Sequence, residues 1–173
     1  MPHFNEKITV GTWAYELGGL SASRCFVILD EKGAAVVRAD STWYMVDTKA
    51  GKAIRIPESE AAYISDTPRL DMLPMPRHIP ATGTPMEAPS ITVLQQHLDT
   101  NQHVNNAQYV MMAIDALSAL GYPFALHRII VQYRRQAHLD DVIFPRIYQD
   151  EGGITVSLDS PEHKTYAIVR LEK

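Results

Sequence analysis

Between Leu98 and Val110 the chain reads LDTNQHVNNAQYV, which sets Asp99, Asn101, His103 and Asn105 at every second position. Asp99 is the only carboxylate of this stretch and can orient or deprotonate a water, directly or through a neighbour. Asn101 carries both a donor and an acceptor, and His103 can donate to a carbonyl oxygen. Free N–H groups at the start of the helix that follows, near Asn105 and Asn106, add positive potential where an oxyanion would form. Taken alone, the same residues also suit a polar turn that caps a helix, and for Asn105 and Asn106 capping is a sufficient role.

The elements that must hold this loop follow from hydrophobic spacing. From Val104 onward Ala107, Val110, Met111, Ile114, Leu117 and Leu120 recur at helical intervals, and Gly121 and Pro123 end the run, so a helix of about four turns is expected. Ser90–Gln96 reads as a strand before the loop. After the helix, strands are expected at His127–His138, Val142–Tyr148, Ile154–Leu158 and Thr165–Leu171, with a hairpin turn at Asp150–Gly153 and Pro145 at an edge or bulge.

Strand, long helix and four more strands form the α+β hot-dog pattern, an antiparallel sheet wrapped around one long helix. The first 57 residues show only the later part of that pattern. Strands are expected at Ile8–Tyr15, Arg24–Leu29 and Ala34–Val46, with Ala35, Val37, Ala39, Trp43 and Met45 on one parity, followed by Ala53–Ile56 and a short helix at Glu58–Ile64. Six prolines within residues 68–89 interrupt regular structure, with Leu70, Met72 and Leu73 able to dock. The expected organisation is a partial N-terminal hot-dog at 1–67, a Pro-rich linker at 68–89 and a complete C-terminal hot-dog at 90–173. The inner face of the first sheet should leave Trp43 and Met45 exposed unless a partner subunit, a domain exchange or the linker covers it.

A net charge of −4 argues against non-specific attraction to nucleic acid or anionic membranes. Asp115, Gly121 and Pro123 interrupt the most apolar segment, Tyr109–Leu126, so no membrane span is expected. Cys25 is the single cysteine, the first twenty residues lack signal-peptide character, and a cytoplasmic location follows as an expectation. His97 and His103 lack zinc-ligand spacing, and no metal or cofactor is expected.

DTNQHVNNAQYV followed by YRRQAHLDD resembles the catalytic half of acyl-acyl carrier protein thioesterases, whose pattern is D-x-N-x-H-V-N-N before the helix and a Y-R-R-E-C-like strand after it. ITVGTWAYELGGLSASRCFVILDEKG, then ADSTWYMVD and RIP, resembles the closing strands of that family's N-terminal hot-dog. The resemblance implies hydrolysis of fatty acyl-acyl carrier protein in fatty acid biosynthesis, with Asp99, Asn101 and His103 in the site. Where the family carries Glu and then Cys, this chain has Gln136 and Ala137. Gln136 cannot act as a base, and either it positions water or the chain is slow. Ala137 leaves no thiol nucleophile there, since Cys25 falls in another strand. Trp43 and Met45 are candidates for an acyl pocket, with plain core as the other reading; Asn105 and Asn106 are candidates for substrate contact. Arg134, Arg135, His138 and Arg146 fall on strands expected to be neighbours, and Arg134 and Arg135 form a candidate docking patch for the acidic carrier protein, with a solvated face as the alternative. A homodimer is possible. The rival readings are a non-catalytic acyl or carrier-protein binding remnant and an acyl-CoA thioesterase or dehydratase of the same fold.

Overall fold

The computed structural model describes residues 2–122 and 127–172. Pro123, expected to end the helix, lies outside them. The chain divides into two compact units, Met1–Met75 and Pro76–Lys173, so the proline-rich stretch is shared between them.

In the first unit, β-branched and aromatic residues form Thr9–Leu17 (β1), Ser21–Leu29 (β2) and Ala35–Tyr44 (β3), an antiparallel sheet in that order. Asp30 closes the β2–β3 hairpin by accepting from the Lys32 and Ala34 N–H groups, with Gly33 at φ +80°. Val46–Asp47 (β4) and Lys52–Ala53 (β5) form a short ribbon. The strand expected at Ala53–Ile56 is therefore shifted, because Ile54 donates to the Met45 carbonyl and Ile56 to that of Gly19. Glu58–Tyr63 is a 3-10 helix.

One face of this sheet carries Trp13, Cys25 and Asp40, and the segment after the 3-10 helix runs over it. Ser65 N–H donates to the Ala14 carbonyl, Trp13 Nε1 donates to the Pro68 carbonyl (3.0 Å), Arg69 pairs with Asp40 (2.7 Å) and Leu70 N–H reaches Cys25 Sγ (3.4 Å). Leu70 and Met72 are half-buried, while Leu73 is 70% exposed. The buried apolar residues among those described here are Ala14 and Cys25, and Trp43 remains 54% exposed.

The second unit contains Met86–Glu87 (β6), Ile91–Thr92 (β7), Asn106–Ala119 (α1), Arg128–Tyr133 (β8), Val142–Asp150 (β9), Gly153–Asp159 (β10) and Thr165–Glu172 (β11). Its antiparallel sheet runs β6-β9-β10-β11-β8, with β7 also on β9. The apolar stripe of α1 buries Tyr109, Met112, Ala113, Ala116 and Leu117 against Ile143, Ile147, Val156, Leu158 and Val169. The opposite face of β11 is also covered, since Ile168 packs with Ile130 and Ile79, and Gln132 donates to the Arg77 carbonyl. The helix and the last three strands appear where the sequence places them. Two expected strands are shorter. Ser90–Gln96 keeps only β7, because the His97 ring takes the Leu94 N–H and a 3-10 turn follows at Gln95–His97. His127–His138 ends at Tyr133, because the N–H groups of Arg134 and Arg135 both converge on the Tyr166 carbonyl and the ladder stops. No helix among the described residues is long and apolar enough to cross a membrane.

The β9–β10 hairpin is closed by charge. Asp150 accepts from the Gly152 and Gly153 N–H groups and forms a two-bond fork with the buried Arg170 (2.8 and 2.9 Å), which also donates to Glu172 and Thr155. A Cβ at Gly153 would lie 2.3 Å from the Leu171 carbonyl oxygen, so only glycine fits. The Arg170 side chain holds the Asp150 carboxyl down to about 2. A carboxylate whose folded pKa is depressed adds stability above its unfolded value of about 3.9, and loses it as pH falls through the folded one. Chemical denaturation of this chain should therefore show stability declining as pH drops from about 4 to about 2, with a smaller decline in Asp150→Asn. An equal decline in both would remove Asp150 from the account.

Candidate active site

The polar loop closes on itself. Leu98 bridges Val104, Asp99 N–H donates to the His103 carbonyl (2.9 Å), and Gln102 N–H donates to the Asp99 carbonyl (3.1 Å). Asp99 Oδ1 accepts from Asn101 N–H (2.8 Å), an Asx turn, and Gln102 takes φ +62° to complete it. Asp99 and His103 are thus fixed opposite each other at the loop's base. Asn105 ends the loop as the helix cap: its side-chain oxygen accepts from Ala107 N–H (2.9 Å), its carbonyl accepts from Gln108, and its own N–H donates to the His97 carbonyl. Three N–H groups of the helix start are therefore occupied within the chain.

A second segment, residues 134–141, is held against this loop. Val104 N–H donates to the Ala137 carbonyl (2.9 Å), and Ala137 N–H donates to the buried Tyr109 hydroxyl (2.9 Å). Burial first, and nearby Asp141 and Tyr133 next, push the Tyr109 hydroxyl up, whereas the Ala137 N–H pulls it down; the phenol stays protonated at neutral pH. Tyr133 donates to the Asn106 carbonyl (3.1 Å), and its ring lies 6.0 Å from that of Tyr109. Further on, Asp141 Oδ2 accepts from both His138 N–H (2.9 Å) and the Tyr166 hydroxyl (3.1 Å). Burial and the adjacent Asp141 carboxylate push Tyr166 up to about 12. Asp140 at φ +67° turns the chain so that Asp140 and Asp141 pair with both backbone groups of Val93.

His103, half-buried, meets His138 edge to face, with ring centroids 4.9 Å apart and planes at 71°. Asp99 is half-buried, Asn101 is exposed, and Gln136, Arg134 and Arg135 are exposed just beyond β8. Arg146 is not their neighbour: it lies on β9, which β10 and β11 separate from β8, and it engages Asp159 and His163. Asn106 contributes its carbonyl to Tyr133. Trp43 and Met45 line a cavity of about 270 Å³ within the first unit, together with Leu17, Ala22, Tyr63 and Ile64, while Trp43 Nε1 donates to Ser41. Among the described residues no three His, Cys, Asp or Glu side chains gather as a metal site. Sequence reasoning missed Tyr109, Asp141 and Tyr166 as supports. The available signal was a tyrosine on a buried helix stripe, whose hydroxyl must find a partner.

Residues 1–64 match the family model for the acyl-ACP thioesterase N-terminal domain, and residues 84–166 match that for the acyl-ACP thioesterase C-terminal domain. The chain belongs to the acyl-ACP thioesterase family. It is 27% identical over 155 residues to a chloroplastic acyl-[acyl-carrier-protein] hydrolase of Cuphea viscosissima, covering 82% of this chain and 36% of that protein. With a chloroplastic oleoyl-acyl carrier protein thioesterase of Coriandrum sativum it shares 25% over 154 residues, or 82% of this chain and 42% of the relative. The chain thus spans about two fifths of the length of these curated relatives. Its fold is that of the acyl-ACP thioesterase of Bacteroides thetaiotaomicron, with a TM-score of 0.82 at 21% identity over 96% of this chain and 68% of the other. It also matches the 12:0-ACP thioesterase of Umbellularia californica, with a TM-score of 0.75 at 19% identity over 99% of this chain and 69% of that one.

In this acyl-ACP thioesterase family member, Tyr109→Phe leaves the buried Ala137 N–H without an acceptor. It should lower stability by about 1–3 kcal/mol in urea denaturation. Unchanged stability would show that the Tyr109 hydroxyl does not hold the two segments together.

Proposed function

We propose that this chain hydrolyses the thioester of fatty acyl-acyl carrier protein, releasing free fatty acid. The observation that carries this reading is the self-closed loop at the start of α1, fixed through Val104 and Tyr109 to residue 137, in a chain matched by both halves of the family. Hydrolysis needs a water aimed at the acyl carbon and a donor for the carbonyl oxygen that becomes negative. In this reading Asp99 orients the water, Asn101 holds the water or an amide of the carrier's arm, and His103 donates to the thioester oxygen. The water oxygen bonds to the acyl carbon, the carbon–sulfur bond breaks with its electrons on sulfur, and a proton ends on the released thiol. Gln136 positions water. Trp43 and Met45 take part in holding the acyl chain through the cavity of the first unit.

Arg134 and Arg135 serve as the docking patch for the carrier protein, supported by the exposure of both side chains and their position in the segment held against the loop. A binding role without turnover is the second reading. It is favoured by the amide at Gln136, which does not titrate near neutral pH, and by the sparse burial of the first unit.

With long-chain acyl carrier protein as substrate, Asp99→Asn should lower kcat by about 10²–10⁴-fold, while Gln136→Glu stays at or above wild type. Undiminished turnover by Asp99→Asn would sink the role given to Asp99. Charge reversal at Arg134 and Arg135 should raise KM for the carrier-bound substrate at low salt, with the gap narrowing near 0.15 M salt, where screening acts over about 8 Å. A KM that stays put at low salt would dismiss the patch.

A further inference from the structure

We propose that His138 is a catalytic residue of this site, the base that takes the proton from the attacking water and returns it to the departing sulfur; this rests on the thioesterase reading above. Two of the candidate side chains, Asn101 and Gln136, have no proton to exchange near neutral pH. One oxygen of Asp99 is tied to the Asn101 N–H, which suits it to hold a water in place. The His97 ring accepts the Leu94 N–H at Nδ1 and is engaged in the 3-10 turn. His103 and His138 remain, and they meet edge to face with centroids 4.9 Å apart.

The two rings differ in what surrounds them. His103 is half-buried on the closed loop, placed to donate to the thioester oxygen, whereas His138 is exposed and open to water. Its placement is nevertheless fixed. The His138 N–H donates to Asp141 Oδ2, its carbonyl accepts from Asp141 N–H, and the buried Tyr166 hydroxyl holds the same carboxylate oxygen. The Ala137 peptide, one residue earlier, is gripped by Tyr109 and Val104. An exposed imidazole with this much backbone restraint is a base that needs little reorganisation before reaction. The neutral His138 ring accepts a proton from water as the oxygen bonds to the acyl carbon. When the carbon–sulfur bond breaks, the imidazolium gives that proton to the thiolate, leaving a carboxylic acid, a thiol and a neutral histidine.

The test compares wild type, His138→Gln and His138→Phe on long-chain acyl carrier protein, with kcat and KM read separately and folding checked by circular dichroism. His138→Phe keeps an aromatic ring against His103 but cannot move a proton. Loss of kcat by about 10²–10⁴-fold in both variants, with KM little changed and the fold intact, is the expected result. Wild-type kcat in either variant overturns the proposal, and activity in His138→Phe alone would assign the ring to packing. Release of no fatty acid by wild type defeats the thioesterase reading itself and this inference with it, an outcome distinct from an active wild type with equally active variants.

Discussion

The peptide of Ala137 is the point on which the site depends. Its N–H ends on the Tyr109 hydroxyl inside the core and its carbonyl on the Val104 N–H at the end of the polar loop. An unpaired buried N–H would cost about 1–3 kcal/mol, so each of these bonds fixes geometry as well as adding stability. Through this one peptide the helix, the loop that precedes it and the segment that leaves β8 share a single register. Gln136 and His138 flank it in sequence, and Asp99 and His103 sit on the loop that ends at its partner Val104. The buried Ala137, with only a methyl side chain, brings no reactive group of its own; it places its neighbours.

The two units use their sequence differently. In residues 76–173 the helix lies against a sheet whose strand β11 is buried on both faces, and the charged residue of that strand's interior, Arg170, is satisfied by Asp150, Glu172 and Thr155. In residues 1–75 one sheet face is covered by the proline-rich segment through Arg69 and Leu70, and the other carries Phe26, Ile28 and Val37 only half-buried. The two sheets are thus packed to different extents. The one with the long helix also carries the polar loop. The other offers an apolar cavity under Trp43 and Tyr63.

Much of the fold was legible because it rests on local rules. The period of Ala107, Val110, Ile114 and Leu117 with Asn105 as cap produced α1, and Asp150 announced its hairpin. The polar loop was legible too, as residue types at a spacing. What escaped depends on contacts distant in sequence. The strand expected at His127–His138 extends past Tyr133, yet β8 stops because two N–H groups share the carbonyl of Tyr166. His138 reads as one of several basic residues, and the bond from Val104 to Ala137, the turn at Asp140 and the pairing with Val93 bring its ring to His103. Arg146 shows the reverse case, a residue of the right type whose strand lies elsewhere in the sheet order.

Chemistry at this loop is distinguishable from binding alone. A single-turnover experiment decides it: purified chain in excess over long-chain acyl carrier protein, with free thiol and free fatty acid followed together. One equivalent of each is expected, appearing at the same rate and faster than in buffer. Acyl carrier protein that is held by the chain with its thioester intact would contradict it.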